Sequence, residues 1–136
     1  MAERGKVIRC RDFRWAGVPL REYKDDPRLY RDVARQVLMG GAGEPDLNFE
    51  TRYFEIERGG FTTLETHSHP HAVVVIRGEG TVVLGSEAKR IEPHDCVYVP
   101  GNLPHQFRAD RGTVLGFLCA VDRERDAARP VREPSG

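Results

Sequence analysis

Between residues 49 and 121 the chain runs as short segments rich in Val, Ile, Phe and Tyr. Turn residues interrupt them at roughly the 8 to 12 residue spacing of an all-β barrel or sandwich. The pattern predicts strands over 49–57, 61–66, 71–77, 80–84, 88–91, 96–99, 105–109 and 113–121. Between them stand Arg58-Gly59-Gly60, Arg77-Gly78-Glu79-Gly80, Gly85-Ser86, Glu92-Pro93-His94-Asp95 and Pro100-Gly101-Asn102-Leu103-Pro104, all strong turn formers. Residues 1–48 read as an N-terminal extension with short strands at 6–10 and 18–23. In its 25–39 stretch Leu29, Val33, Val37 and Leu38 approach helical spacing, which predicts a short helix or turn. The run Gly40-Gly41-Ala42-Gly43-Glu44-Pro45 then breaks regular structure. Residues 122–136 alternate in charge without apolar periodicity and read as a solvated, frayed tail.

A chain of 136 residues has the length of one domain, here divided into extension, barrel (49–121) and tail. Hydrophobic residues make up 39%, enough for a core, so wholesale disorder is not expected. Twenty-one basic residues balance 21 acidic ones, and this neutrality removes the electrostatic footprint of a nucleic-acid or anionic-membrane partner. The longest uncharged apolar run, residues 72–76, is far short of the roughly 20 residues of a membrane helix. Cys10, Cys96 and Cys119 are odd in number and form no C-x-x-C pair. They read as reduced, buried thiols of a cytoplasmic protein.

The chemistry concentrates in the histidines. Of five, His67, His69 and His71 occupy alternate positions around Ser68 and Pro70. In an extended segment alternate side chains share a face, and imidazole suits Zn, Fe, Cu and Ni. A straight strand would separate the outer pair by about 13 Å, so Pro70 is expected to mark a bend that lets both reach one ion. Protonated together they would repel one another, a further reason to expect a bound cation. His105, opening a strand after the 100–104 turn, is the expected fourth ligand; His94 reads as a turn residue.

With those residues in place the sequence resembles the cupin superfamily of small double-stranded β-helix, or jelly-roll, barrels. The segment from Gly60 to Gly78 is similar to the family's first motif, G-x5-H-x-H-x3-4-E-x6-G, and the segment from His94 to Ala109 to its second, G-x5-P-x-G-x2-H-x3-N, with Pro100 and His105 at the matching spacing. The departures are specific. His71 stands at the family's glutamate position, the first motif is compressed, and His94, Asn102 and Ala109 replace Gly, Gly and Asn. The resemblance therefore implies a site of His67, His69, His71 and His105; an ungapped alignment brings in Glu65, the reserve ligand.

The resemblance implies one divalent transition metal (Fe, Mn, Zn or Ni) and a small-molecule substrate or ligand. Such a site with open positions suits an oxygenase, isomerase or lyase acting on a small polar molecule. The alternative is a cupin that binds or senses a small ligand without chemistry. Tyr98 and Gln106 near the metal, Phe107 as an apolar wall and Arg52 as a carboxylate clamp are the expected pocket residues. A homodimer is expected, with the extension covering a sheet edge of the neighbouring copy.

Overall fold

The structure, a computed structural model, describes residues 5–24 and 26–131. Its elements in chain order are β1 (Cys10–Arg11), β2 (Arg14–Trp15), β3 (Arg21–Glu22), β4 (Arg31–Met39), β5 (Phe49–Phe61), β6 (Glu65–Thr66), β7 (His71–Arg77), β8 (Gly80–Leu84), β9 (Glu87–Ile91), β10 (Cys96–Val99), β11 (His105–Ala109), β12 (Leu115–Asp122) and β13 (Arg129–Pro130). All pairings are antiparallel. One wall runs β10-β7-β12-β5-β4-β3. At its far end β5 meets β11 through Phe61 and Arg108, and β11 carries β8, β9, β6 and β13, so the sheet curls into a jelly roll. The all-β expectation holds. Among the described residues no helix is long and apolar enough to cross a membrane.

Several segments differ from the sequence reading: residues 6–9 carry no strand, and β5 runs through the turn expected at 58–60 as far as Phe61. Residues 31–39 form not a helix but strand β4, paired along β5 from Val33↔Ile56 to Met39↔Thr51. Register against β5 places Val33, Arg35 and Val37 on the inner face with Ile56, Phe54 and Arg52. The inward arginine interrupts the apolar alternation, so the strand period was hidden. The tail is also docked as far as Val131: β13 pairs with β6, and the Val131 N–H donates to the Leu64 carbonyl at 2.8 Å. Backbone ladders of this kind need no apolar periodicity. Residues 132–136 lie outside the described residues.

Alternation sorts the inner face into three levels. Ile56, Val75, Val82, Leu115 and Ala109 fill one end. Above them Phe54, Phe107 and Phe117 stack, with ring centroids 5.4 Å apart for Phe54–Phe117 and 4.3 Å for Phe107–Phe117. Each such pair adds about 0.5–1.5 kcal/mol beyond area burial. One step further toward the other end the inward positions turn polar: Arg52 on β5, Cys119 on β12, His71 on β7 and His105 on β11. The phenylalanines thus floor a cavity whose walls are polar. Tight turns hold this geometry. Gly78 at φ 71° packs so closely that a Cβ would sit 1.8 Å from the Val114 carbonyl oxygen. His94 (φ 78°) and Asn102 (φ 66°) adopt the left-handed conformation at positions where the family motif carries glycine.

Candidate metal centre

Strand β6 ends at Thr66, and the bend through Pro70 returns the chain into β7 at His71. That bend resolves the reach problem of a straight strand: the rings of His67 and His69 stack at 3.7 Å, and His71 stands edge-on to His67 at 4.6 Å. His105 closes the group from β11, 4.7 Å from His67 and 5.2 Å from His71 between centroids. Ligand atoms of His67, His69 and His71 lie within 4.8 Å of one another, as do those of Glu65, His67 and His105, so either triad could hold a metal ion.

Proton bookkeeping on the rings supports that donor set. Nδ1 of His67 donates to the His69 carbonyl at 2.6 Å, Nδ1 of His105 to the Leu103 carbonyl at 2.9 Å, and Nδ1 of His69 to the Asp126 carboxylate at 2.8 Å. In its neutral form a ring that donates from Nδ1 keeps Nε2 as its lone-pair atom. Nε2 of His67 and Nε2 of His71 stand 2.8 Å apart, a separation that needs a proton or a cation between them. Burial, reinforced by the charge of His69 and His105, lowers the His67 pKa to about 4. Burial with His105 and Arg52 pushes His71 far below its ordinary value, and burial lowers His105. Neutral, oriented imidazoles with acceptors on their outer nitrogens are what a divalent transition metal requires, so the residues present fit such an ion.

The surroundings tie the site to both ends of the chain. Glu65 accepts from the Tyr23 hydroxyl at 3.1 Å and pairs with Lys24, both from the N-terminal extension. Asp126, in the tail, accepts from the backbone N–H of Ser68 (2.8 Å) and of His69 (3.2 Å) as well as from the His69 ring. Those donors, the Ser68 N–H first, hold its carboxyl well below the usual range. The Cys119 sulfur lies 3.1 Å from Nδ1 of His71 and 3.5 Å from Nη2 of Arg52, with its thiol pKa raised by burial.

The cavity is about 200 Å³, below the roughly 300–1,000 Å³ of pockets for drug-sized ligands and suited to a smaller metabolite. The four histidines, Glu65, Arg52 and Phe107 line it. Tyr98 does not: Val97 and Val99 point inward on β10, so Tyr98 points out and is 69% exposed. Gln106 also faces away from the cavity, donating from Nε2 to the Thr62 carbonyl at 2.9 Å and accepting from Arg108 at 3.1 Å. Nearness in sequence to His105 does not give nearness in space when strand faces alternate. Cys10 and Cys96 are exposed rather than buried; only Cys119 matches that expectation. Sequence reasoning missed Tyr23, Lys24, Arg35, Arg125 and Asp126, which reach the cavity from segments with no local motif.

A family model for the cupin domain matches residues 52–121. The 1-methylthio-D-xylulose 5-phosphate methylsulfurylase of Rhodospirillum rubrum is 45% identical over 115 residues, covering 84% of this chain and 72% of that protein. A crystal structure of a cupin-2 domain protein from the same organism is 41% identical, with a TM-score of 0.82 over 96% of this chain and 86% of that one. A cupin 2 conserved barrel protein from Rhodopseudomonas palustris is 39% identical, with a TM-score of 0.84 over 92% and 86%.

Proposed function

Since the chain belongs to the cupin family, we propose that it is a metal-dependent enzyme of the oxygenase, isomerase or lyase type, acting on a small phosphorylated sugar with a methylthio substituent. The observation that carries this reading is the donor set: three imidazoles with Nδ1 protonated and Nε2 free, and a fourth ring 2.8 Å away, above an apolar floor. The name of the 45% identical relative supplies the substrate class. His67, His69, His71 and His105 hold one divalent ion, Fe, Mn, Zn or Ni, with Glu65 in reserve. When bound, that ion supplies a Lewis acid beside the substrate's oxygen atoms. The chain's own part is to orient the substrate over Phe54, Phe107 and Phe117 and to exclude water between the extension and the tail. Its unpaired thiols at Cys10, Cys96 and Cys119 support a cytoplasmic location, and a homodimer is proposed on the family resemblance alone.

The test is metal analysis of untagged protein purified without a nickel column, paired with turnover of 1-methylthio-D-xylulose 5-phosphate. About one ion per chain and turnover are expected, both lost in His67→Ala and His105→Ala. Protein that carries no ion, or that carries one and leaves this substrate unchanged, overturns the reading.

A further inference from the structure

The cavity holds more positive charge than its carboxylates answer. Lys24, Arg35, Arg52 and Arg125 line it. Lys24 is paired with Glu65. Glu50 serves two guanidiniums at once, 3.2 Å from Nη2 of Arg125 and 3.7 Å from Nε of Arg52, and the second separation is too long for a hydrogen bond. The Asp126 carboxylate is taken up by Ser68 and His69. Among the described residues Arg35 has no ion-pair partner, and the Nε–H groups of Arg35 and Arg52 are buried without an acceptor.

Unsatisfied buried donors destabilise a fold unless a ligand completes them. Arg52 is the sharper case, because only 6% of it is exposed and its position on β5 aims it inward beside Cys119. Arg35 sits on β4 opposite Phe54, at the level of the cavity floor. Burial, and then the neighbouring Arg52, lower its pKa, as expected of a cation that lacks a counter-ion. A guanidinium keeps its charge under such strain and offers a planar fork of donors to an anion with several oxygens.

We propose that Arg35, Arg52 and Arg125 form an anion subsite beside the histidines, and that it takes the phosphate group of a phosphorylated small-molecule substrate. The several oxygens of a phosphate match the guanidinium donors left without acceptors better than a single carboxylate does. The subsite fixes one end of the substrate so that its other end lies over the histidines. This inference rests on the function proposed above and assigns the residues that read the phosphate.

The experiment is isothermal titration of the purified full chain with D-xylulose 5-phosphate, D-xylulose and inorganic phosphate. Neither sugar carries a methylthio group, so binding is read apart from turnover. The phosphorylated sugar should bind about tenfold or more tightly than D-xylulose, and more tightly than inorganic phosphate. Arg35→Gln should reduce that preference to about threefold or less while leaving the melting temperature unchanged or higher, since it removes a half-buried cation whose Nε–H has no acceptor. Arg125→Gln, at the rim, should weaken it less. Equal binding of the two sugars, inorganic phosphate binding as tightly as the ester, or a full preference retained in Arg35→Gln would each overturn the subsite. The two readings fail separately: loss of turnover with the preference intact strikes the proposed reaction, and turnover without the preference strikes the subsite.

Discussion

Strand β5 buries polar side chains on both of its faces and treats them differently. On the outer face Glu55, 4% exposed, accepts from Arg14 through both oxygens (2.9 and 2.8 Å), from Arg77 (2.7 Å) and from the Tyr53 hydroxyl (3.0 Å). Phe13 and Trp15 of the N-terminal hairpin cover it, their rings 6.2 and 4.9 Å from that of Tyr53. Burial pushes the Glu55 pKa up, yet hydrogen bonds from Arg14 and Tyr53 outweigh it and leave it lowered. On the inner face Arg52 and its neighbour Arg35 keep donors without acceptors, and ring nitrogens of His67 and His71 face each other at hydrogen-bond distance. A closed polar network fastens one segment onto another; an open one waits for a ligand.

The largest expected effect falls on the closed network. Glu55→Ala should lower stability by about 2 kcal/mol, below the usual figure for breaking a buried pair because Arg14 and Arg77 can reach water. Chemical denaturation reads this, and the metal content of the folded variant should be unchanged; an equal loss of metal would break the distinction between the two faces. A smaller effect is expected from Asp126→Asn, which keeps the shape but weakens the acceptor on the His69 ring. Metal affinity, measured by competition with a chelator, should fall about tenfold with little change in melting temperature. An unchanged affinity would reduce the docked tail to a structural role.

Acid sharpens the comparison with the mildest perturbation. His67 titrates near 6.5 when unfolded and near 4 when folded, so the unfolded chain binds more protons between those values. The contribution of neutral His67 is complete above pH 6.5 and is lost as pH falls toward 4. Glu55, whose folded pKa is lowered from 4.5, loses its contribution only below that value. The melting temperature of metal-stripped protein should therefore fall by a few degrees between pH 6.5 and 4.5, a window to which His71 and His105, also lowered by burial, contribute, and His67→Phe should make that limb shallower without abolishing it while leaving the lower one. A wild-type curve level above pH 4.5 would contradict the buried-neutral state of the ring.

The histidines were legible because their spacing, the Pro70 bend and the 100–104 turn are local signals. The arginines were not. Arg52 could be named from sequence, but Arg35 broke the alternation that would have revealed β4, so a residue that lines the cavity also concealed its own strand. Asp126 lies 57 positions from His69, with nothing between them to announce the contact.

The amino-acid sequence by itself determined an all-β jelly roll, its turns and four histidines on one site, because strand period, turn chemistry and ligand spacing act over a few residues. Only the tertiary structure decided that Tyr98 and Gln106 face away, that the extension and tail contribute to the lining of the cavity, and that its arginines outnumber their acceptors. Those outcomes depend on pairing between distant strands: register against a partner, and not local composition, sets which face of a strand meets the cavity and which charges are left unanswered there.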